Sequence, residues 1–172
     1  PRTKAIITVD IAGMPCQYDK IKQLLDTPQV REKYSASSDV QKKLNRILLI
    51  SDSAHAVGAE YRGKTITQWV DVSVQSFHAV KNITSAEGGA ICLNLPEQFD
   101  EEETRKFFKL MTLNGQTKDA FTKNQAGAWR YDIVEFGMKI NLPDINAAVA
   151  LAQLRKYDYL LQERKRVFEL YH

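Results

Sequence analysis

The feature that most constrains the fold is a repeated alternation between short apolar runs and stretches with helical periodicity. Each apolar run ends near polar or glycine residues, which is typical of β-strands. The predicted strands are residues 4–9, 46–51, 70–77 and 89–94. The predicted helices are residues 18–26, 40–44, 101–113 and 144–171, and the polar residues 27–39 are predicted to form an exposed loop or insertion. Strands separated by helices favour an α/β sheet with crossover connections over a sandwich.

Composition excludes several functional classes. The 24 Lys and Arg residues, against 21 Asp and Glu, give a formal charge of +3 and are spread along the chain, which does not indicate a nucleic-acid-binding surface. No apolar run approaches the roughly 20 residues of a bilayer-spanning helix, so a soluble protein is expected. Cys16 and Cys92 form no CxxC pair, which implies neither a disulfide framework nor a zinc site and favours a cytoplasmic location.

The length and the two ends of the sequence predict one domain or one large piece of a domain. The first residues, PRTK, contain neither an initiator Met nor a signal peptide. The last predicted helix has no Gly or Pro to stop it. We therefore expect the chain to be a segment of a longer protein.

An acid stands at the end of the second predicted strand, in the run SDSAHA. Open α/β sheets bind ligands at the carboxyl ends of their strands, so Asp52 is a candidate to pair with a protonated ring nitrogen. The alternative for Asp52 is a helix N-cap, which is at least as common for an Asp after a strand. For His55 the more common alternative is a structural hydrogen-bonding role.

A lysine follows the third predicted strand, in the run SFHAVKNITSAEGG. A lysine that is desolvated beside a cationic or electrophilic group has a lowered pKa, so its neutral amine can attack an aldehyde. The hydroxyls of Ser76, Thr84 and Ser85 are candidate donors to a phosphate, and the Gly-Gly pair allows close backbone approach or a sharp turn. The alternatives are a surface charge for Lys81 and an ordinary turn for the glycines.

The runs SDSAHAVGAEYRGK and SFHAVKNITSAEGGA, in this order and spacing, resemble the two signature stretches of the DegT/DnrJ/EryC1/StrS family of nucleotide-sugar aminotransferases. Three further runs are similar to the same family: TKAIITVDIAGMPCQYDKI, EFGMKINLPDINAAVALAQL and ERKRVFELY. The resemblance covers nearly the whole chain apart from the polar stretch around residues 27–45. The runs GMKINLPDINAA and HAVKNITSAEGG most resemble members that make UDP-4-amino-4-deoxy-L-arabinose and related 4-amino sugars.

This resemblance implies the fold and the cofactor. The chain is expected to be part of the large domain of the aspartate-aminotransferase-like (type I PLP) α/β fold, a mostly parallel sheet with flanking helices that is incomplete at both ends. Residues 1–172 would form a PLP-binding large-domain segment, without the N-terminal part and the C-terminal small domain. The implied cofactor is pyridoxal 5'-phosphate (PLP).

The resemblance also implies a role for each candidate residue. Lys81 would hold PLP as a Schiff base and move a proton between substrate and cofactor, and Asp52 would pair with the pyridinium nitrogen. His55 would orient the ring near its phenolic oxygen, and Ser76 would bind the phosphate. The loop residues Lys139 and Asn141 would reach across a dimer interface toward the neighbouring subunit's cofactor phosphate.

Several positions depart from the family pattern. Ser51 stands where an acid is common, and Asp10 stands where His is frequent, so an altered local charge near the substrate is expected from Asp10. Met138 replaces the usual aromatic residue, and Lys139 stands where Asn is common. The family's N-terminal phosphate loop and ring-stacking aromatic residue have no counterpart, so the segment alone is expected to be inactive.

The predicted reaction is transamination from L-glutamate to a keto group of a nucleotide-linked sugar, in a homodimer with shared active sites. Such enzymes serve polysaccharide or lipopolysaccharide biosynthesis among other pathways. One alternative is a non-catalytic or regulatory α/β homologue that binds a nucleotide sugar, because fold does not fix function. The other is a sugar dehydratase of the same superfamily, which carries His in place of the lysine, so Lys81 argues against it.

Overall fold

The computed structural model describes residues 2–118 and 130–171. The chain divides into two compact units, one made of Pro1–Gln98 and Pro143–His172 and the other of Phe99–Leu142. The first unit contains the main sheet and every predicted site residue except Lys139 and Asn141.

Six strands occur in the described residues: β1 (Ala5–Val9), β2 (Leu48–Asp52), β3 (Glu60–Tyr61), β4 (Lys64–Thr65), β5 (Val72–Ser76) and β6 (Gly89–Leu93). The main sheet has the order β1-β2-β5-β6, and β3 with β4 forms a separate hairpin. The first three strands of the main sheet are parallel, whereas β6 is antiparallel to β5. The mostly parallel sheet and its four predicted strands are therefore confirmed, with strand ends displaced by at most two residues.

The described helices are α1 (Tyr18–Leu25), α2 (Pro28–Lys33), α3 (Asp39–Leu44), α4 (Glu101–Met111), α5 (Asp144–Leu154) and α6 (Tyr157–Leu170), with short 3₁₀ helices at Ile11–Gly13 and Ile66–Gln68. The prediction of a loop at 27–39 was wrong in part, because α2 begins with Pro28 in its first turn, where proline is well tolerated. The single helix predicted at 144–171 is two helices. Lys156 leaves the helical conformation, with φ −102° and ψ 5°.

The two faces of the main sheet differ in burial. Because successive side chains of a strand point to opposite faces, residues in register on neighbouring strands share a face. One such row is Thr8, Ser51, Ser73 and Cys92, and it faces the interior, where α1 packs. The next row is Val9, Asp52, Val74 and Ile91, and all four of these residues are exposed.

The hydrophobic core of the first unit lies on the interior face of the sheet. It consists of Tyr18, Leu25, Leu49, Ala56, Ile66 and Val70, each at most 7% exposed. Tyr18 and Leu25 come from the two ends of α1, whose apolar stripe is what a surface helix buries against a sheet. This packing fixes β2, and with it Asp52, relative to α1.

The second unit is built around α4 and the turn that follows it. Asp100 caps α4, its Oδ1 accepting a hydrogen bond from the Glu103 N–H at 2.8 Å. Isolated bridges join Leu113 to Lys139 and Gln116 to Ile133. Gly115 has φ +68°, and a Cβ at that position would overlap the backbone carbonyl of Glu135.

Within residues 2–118 and 130–171, no helix combines the length and the apolar character that a bilayer crossing requires.

Candidate functional site

Asp52 is the last residue of β2 and lies at the carboxyl edge of the parallel strands. Its register partners are Val9 and Val74, so an exposed carboxylate stands between two aliphatic side chains. Within the described residues its side chain accepts one hydrogen bond, from the Ala54 N–H to Oδ1 at 3.1 Å, which leaves Oδ2 open. Turns rather than a helix follow Asp52, so the N-cap interpretation is excluded.

Ser76 is the last residue of the neighbouring strand β5. Asp52 is in register with Val74, two residues before Ser76, so Asp52 and Ser76 lie on the same face of the sheet. The Ser76 Oγ accepts a hydrogen bond from the His78 N–H at 3.3 Å, so its own proton remains available for a ligand.

Lys81 lies in the connection between β5 and β6, residues 77–88, which we call the lysine loop. Two backbone hydrogen bonds close it, from Phe77 N–H to Gly88 O at 2.8 Å and from Ser85 N–H to Phe77 O at 2.9 Å. Lys81 is half-buried, and its Nζ has no hydrogen bond or ion pair to any described residue. Lys81 is thus partly shielded from solvent and has no carboxylate partner among the described residues.

The other polar residues of the lysine loop shape the loop itself. Ser85 is 1% exposed, and its Oγ donates to the Glu87 carbonyl at 2.9 Å, so this hydroxyl does not face a ligand. The Thr84 Oγ1 accepts the Ala86 N–H at 3.1 Å. Gly89 starts β6 so close to β5 that a Cβ there would lie 2.5 Å from the Gln75 carbonyl oxygen. Gly89 of the Gly-Gly pair therefore allows the two strands to approach closely.

His55 is exposed in the turn that follows Asp52. Its Nδ1 accepts a hydrogen bond from the backbone N–H of Ala12 at 3.2 Å. In a neutral imidazole this contact places the proton on Nε2, so the outer edge of the ring is a hydrogen-bond donor. The Ala12 backbone thus orients the His55 ring, and the Nε2–H of that ring points away from Ala12.

A buried cluster that we call the Asp10 cluster lies on the interior face of β2; its members are Asp10, Tyr18, Ser51 and Ser53, each at most 1% exposed. Ser51 and Ser53 donate to Asp10 Oδ2 at 2.5 and 3.2 Å. The Tyr18 hydroxyl donates to the same carboxylate at 2.7 and 2.8 Å. The expectation that Asp10 changes the charge near the substrate is corrected, because its carboxylate points into the protein.

Burial in this cluster affects two titratable groups. Desolvation raises the pKa of the Tyr18 phenol, and the nearby Asp10 carboxylate acts in the same direction. Desolvation also raises the pKa of the Cys16 thiol, and Asp10 again adds to the effect. Both groups stay neutral at ordinary pH. The sequence pointed to this cluster only through Asp10 and Ser51, which differ from the residues common in the family at those positions.

Two side chains of the C-terminal helices hold the lysine loop, and the sequence analysis missed both. Asn146 of α5 donates from Nδ2 to the Ser85 carbonyl at 2.6 Å and to the Glu87 carbonyl at 3.3 Å. Arg164 of α6 donates to the carbonyl of Asn82, the residue after Lys81, at 3.0 Å. No local pattern distinguishes these residues from other polar helix positions.

Tyr157, the first residue of α6, holds the other loop of the site. Its hydroxyl donates to the Val57 carbonyl, two residues beyond His55. Gly58 lies against the Tyr157 ring, and a Cβ at that position would overlap it. The break between α5 and α6 therefore allows Tyr157 to contact the turn that carries His55.

Lys139 and Asn141 belong to the second unit. The Lys139 Nζ donates to the Asn141 Oδ1. The structure thus brings Asp52, His55, Ser76 and the lysine loop into one unit, and brings Lys139 and Asn141 together in the other. A role for the latter two at a neighbouring subunit's cofactor stays a prediction.

Comparison with known proteins identifies relatives over almost the whole chain. The profile of the DegT/DnrJ/EryC1/StrS aminotransferase family matches residues 35–172. An uncharacterized protein of Methanocaldococcus jannaschii is 36% identical over 172 residues, which are 99% of this chain and 39% of that protein.

Solved structures agree with the family match. The PMP form of a Streptococcus pneumoniae protein named as a sugar aminotransferase has a TM-score of 0.89 at 45% identity, covering 98% of this chain and 42% of that one. Its PLP form has a TM-score of 0.87 at 42% identity, covering 98% and 40%. Helicobacter pylori PseC, an aminotransferase of pseudoaminic acid biosynthesis, has a TM-score of 0.69 at 32% identity, covering 96% and 36%.

These neighbours confirm the predicted fold class, and their PLP and PMP forms confirm the predicted cofactor of the family. The chain spans about two fifths of the length of the relatives that it matches. With a family profile matched from residue 35 to the last residue, the chain belongs to the DegT/DnrJ/EryC1/StrS aminotransferase family.

Proposed function

We propose that the complete protein containing this chain is a PLP-dependent aminotransferase that transfers an amino group from L-glutamate to a keto group of a nucleotide-linked sugar. The observation that supports this proposal most strongly is the joint placement of Asp52, Ser76 and the lysine loop at the carboxyl edge of β2 and β5. This is the edge at which open α/β sheets bind ligands.

The chemistry of the side chains at this edge fits PLP. Asp52 offers an open carboxylate oxygen for a protonated ring nitrogen. Ser76 has a hydroxyl proton that a phosphate oxygen can accept. Lys81 supplies an amine that no described carboxylate neutralises. When bound, PLP supplies an electron sink for the carbon that loses its proton.

Each residue has a distinct task in this proposal. The Lys81 Nζ anchors the cofactor covalently and afterwards carries the proton that leaves and re-enters the reacting carbon. Asp52 keeps the ring nitrogen protonated, so its removal should slow proton abstraction more than it weakens cofactor binding. His55, held at Nδ1 by Ala12, orients the ring through its Nε2–H.

We further propose a homodimer in which Lys139 and Asn141 of one subunit reach the cofactor phosphate of the other, because a cation and an amide suit a dianionic ligand. The proposed location is the cytoplasm, and the proposed process is synthesis of polysaccharide, lipopolysaccharide or a related amino sugar. The H. pylori neighbour is an aminotransferase involved in the biosynthesis of pseudoaminic acid, which supports a biosynthetic role.

A non-catalytic homologue that binds a nucleotide sugar is the second candidate. Two properties distinguish the enzyme from this candidate. The enzyme binds its cofactor covalently, and its cofactor changes form when the amino donor is added. The sugar dehydratases of the superfamily carry His at the lysine position, and the presence of Lys81 disfavours that activity.

The test uses the complete protein reconstituted with PLP and treated with borohydride. We expect peptide mass spectrometry to find the reduced cofactor on Lys81 and visible absorbance to bleach at the same time. Lys81→Arg should abolish the adduct, whereas Lys64→Arg, a change at an exposed lysine of the same unit, should leave it intact. A protein with no adduct at Lys81 would contradict the proposal.

Substrate class is tested with a panel of UDP- and dTDP-linked 4-keto sugars. We expect L-glutamate to convert the PLP form to the PMP form, with release of 2-oxoglutarate, and one or more sugars to be aminated. A protein that keeps its PLP spectrum after addition of glutamate, and aminates no sugar of the panel, would favour the binding module.

A further inference from the structure

The Asp10 cluster is not used by the proposed chemistry, yet it holds a buried carboxylate next to the site. Asp10 is 1% exposed, and a buried carboxylate is expensive unless hydrogen-bond donors surround it. Here the donors are the Tyr18 hydroxyl, the two serine hydroxyls and the N–H of Cys16, which donates to Oδ1 at 3.1 Å. The carboxylate is thus fully engaged from inside the protein.

The Asp10 cluster makes hydrogen bonds to the residues on both sides of Asp52. Ser51 and Ser53 are the residues immediately before and after Asp52, and both bond to the same Asp10 oxygen. Their Oγ atoms lie 2.8 Å apart, so both hydroxyls converge on that carboxylate oxygen. Because successive strand side chains alternate between faces, these two anchors point inward while Asp52 points to the opposite face.

A third contact acts on Asp52 directly. The backbone N–H of Asp10 donates to the Asp52 carbonyl at 3.0 Å. Asp10 therefore holds Asp52 in two ways: its N–H bonds to the Asp52 carbonyl, and its carboxylate bonds to Ser51 and Ser53 on either side. Ser73, the register partner of Ser51 on β5, is fully buried, and its Oγ has no partner in the described part of the chain. Within the described residues, the Asp10 side chain therefore contacts Ser51 of β2 but makes no hydrogen bond to its register partner on β5.

We infer that Asp10 is a positioning residue for Asp52 and, through it, for the protonation of the cofactor ring nitrogen; this inference rests on the proposed function. A carboxylate must be held within about 0.5 Å and 10–20° of its productive position to act on its partner through a charge-assisted hydrogen bond. Asp10 supplies this orientation from the interior face and touches neither cofactor nor substrate. Its removal leaves Asp52 in place but loosely oriented.

The test measures the ring nitrogen rather than turnover. The complete protein is reconstituted with PLP labelled with 15N at the ring nitrogen, and the 15N chemical shift reports protonation. In Asp10→Asn we expect a shift toward the neutral pyridine value, with an about tenfold lower ratio of protonated to neutral ring, equivalent to one pKa unit. The matched control is Asp71→Asn.

Asp71 is a suitable control because it is also a buried carboxylate that holds β2, through the Leu49 N–H at 2.8 Å, toward the other end of the strand. Asp71→Asn should weaken folding and leave the 15N shift unchanged. If Asp10→Asn does not fold, Ser53→Ala removes one anchor only and should move the shift in the same direction by a smaller amount.

The outcomes separate this inference from the proposed function. A wild-type protein that forms no Lys81 adduct overturns the proposed function, and the inference falls with it. An adduct whose ring nitrogen is equally protonated in wild type and in the folded variants overturns the inference alone. A shift as large in Asp71→Asn as in Asp10→Asn also overturns it, since general destabilisation would then be the cause.

Discussion

Arg46 and Asp71 make a partly buried ion pair with two N–O contacts of 2.6 Å. Their side chains are 22% and 10% exposed, and Asp71 also accepts the Leu49 N–H. Asp71→Ala would leave a half-buried guanidinium and an unpaired backbone donor. We expect a loss of about 3 kcal/mol in the free energy of unfolding, at the lower end for a buried pair because Arg46 keeps some solvent contact.

Urea denaturation of the complete protein measures this loss. The matched control is Asp39→Ala, which breaks a pair with Lys42 between side chains that are 96% and 68% exposed. An exposed pair of this kind contributes less than about 1 kcal/mol. Equal losses in both variants would contradict the structural role of Asp71.

Tyr18 leads to a second prediction at this scale, a loss of stability in alkali. Burial raises the pKa of the phenol in the folded state above its unfolded value of about 10. Its contribution to stability is therefore complete below pH 10 and is lost as the pH rises toward the folded pKa. Above pH 10 the free energy of unfolding should fall by up to about 1.4 kcal/mol per pH unit from this group.

Urea midpoints measured from pH 8 to 11 test the Tyr18 prediction. Tyr18→Phe is expected to lower the midpoint at every pH and to flatten the decline above pH 10. Tyr159→Phe, at a position that is 63% exposed, should keep the wild-type slope. An unchanged slope in Tyr18→Phe would show that the burial of this phenol does not govern alkaline unfolding.

At the scale of elements, the strands and most helices were predictable because their signals are local. The apolar runs before Asp52 and Ser76 marked the strands that end there, and parallel pairing then brought both residues to one edge. Two helix boundaries were not predictable. Helix α2 begins at Pro28 inside a polar stretch that resembles a loop. The break between α5 and α6 at Lys156 contains neither Gly nor Pro, the residues that usually indicate a helix end.

The contacts that support the site were less predictable than the site residues themselves. Asp10 and Ser51 are 41 residues apart, and Asn146 and Ser85 are 61 residues apart. Such pairs depend on how β1 lies beside β2 and how α5 lies beside the lysine loop, and no local pattern contains that information. The resemblance to a family supplied Lys81 and Asp52, but it could not supply partners that differ from the family pattern.

The helix contacts to the lysine loop lead to a third prediction. Asn146→Ala removes the donors to Ser85 and Glu87, and one lost hydrogen bond is worth about 1 kcal/mol. Local opening of the loop should then become about fivefold more frequent. Hydrogen exchange of the amides of Phe77 and Ser85, which close the loop, should accelerate by that factor.

The control for the loop prediction is Gln98→Ala. Gln98 makes a comparable amide contact, from Nε2 to the Lys43 carbonyl at 3.1 Å, at a distance in sequence from the lysine loop. Exchange at Phe77 and Ser85 should be unchanged in this variant. If Asn146→Ala also leaves it unchanged, α5 does not hold the loop closed.

At the scale of the whole molecule, the main sheet has one face on which aliphatic side chains are exposed. Val9, Val74 and Ile91 flank Asp52 in one row and are 51%, 42% and 43% exposed. Parallel strands are almost always covered on both faces, whereas in residues 2–118 and 130–171 the row that contains Asp52 is left exposed. The chain spans 42% of the S. pneumoniae relative. We therefore expect other parts of the complete protein to cover this face.

Val9→Lys tests that expectation in the complete protein. A lysine placed in a covered apolar layer must be desolvated, so we expect a loss of at least about 2 kcal/mol in the free energy of unfolding. Val40→Lys is the matched control, because Val40 is 66% exposed on α3. It should change stability by less than about 0.5 kcal/mol. In the isolated 172-residue chain, both substitutions should be tolerated equally. Equal tolerance in the complete protein as well would mean that this face stays open to solvent.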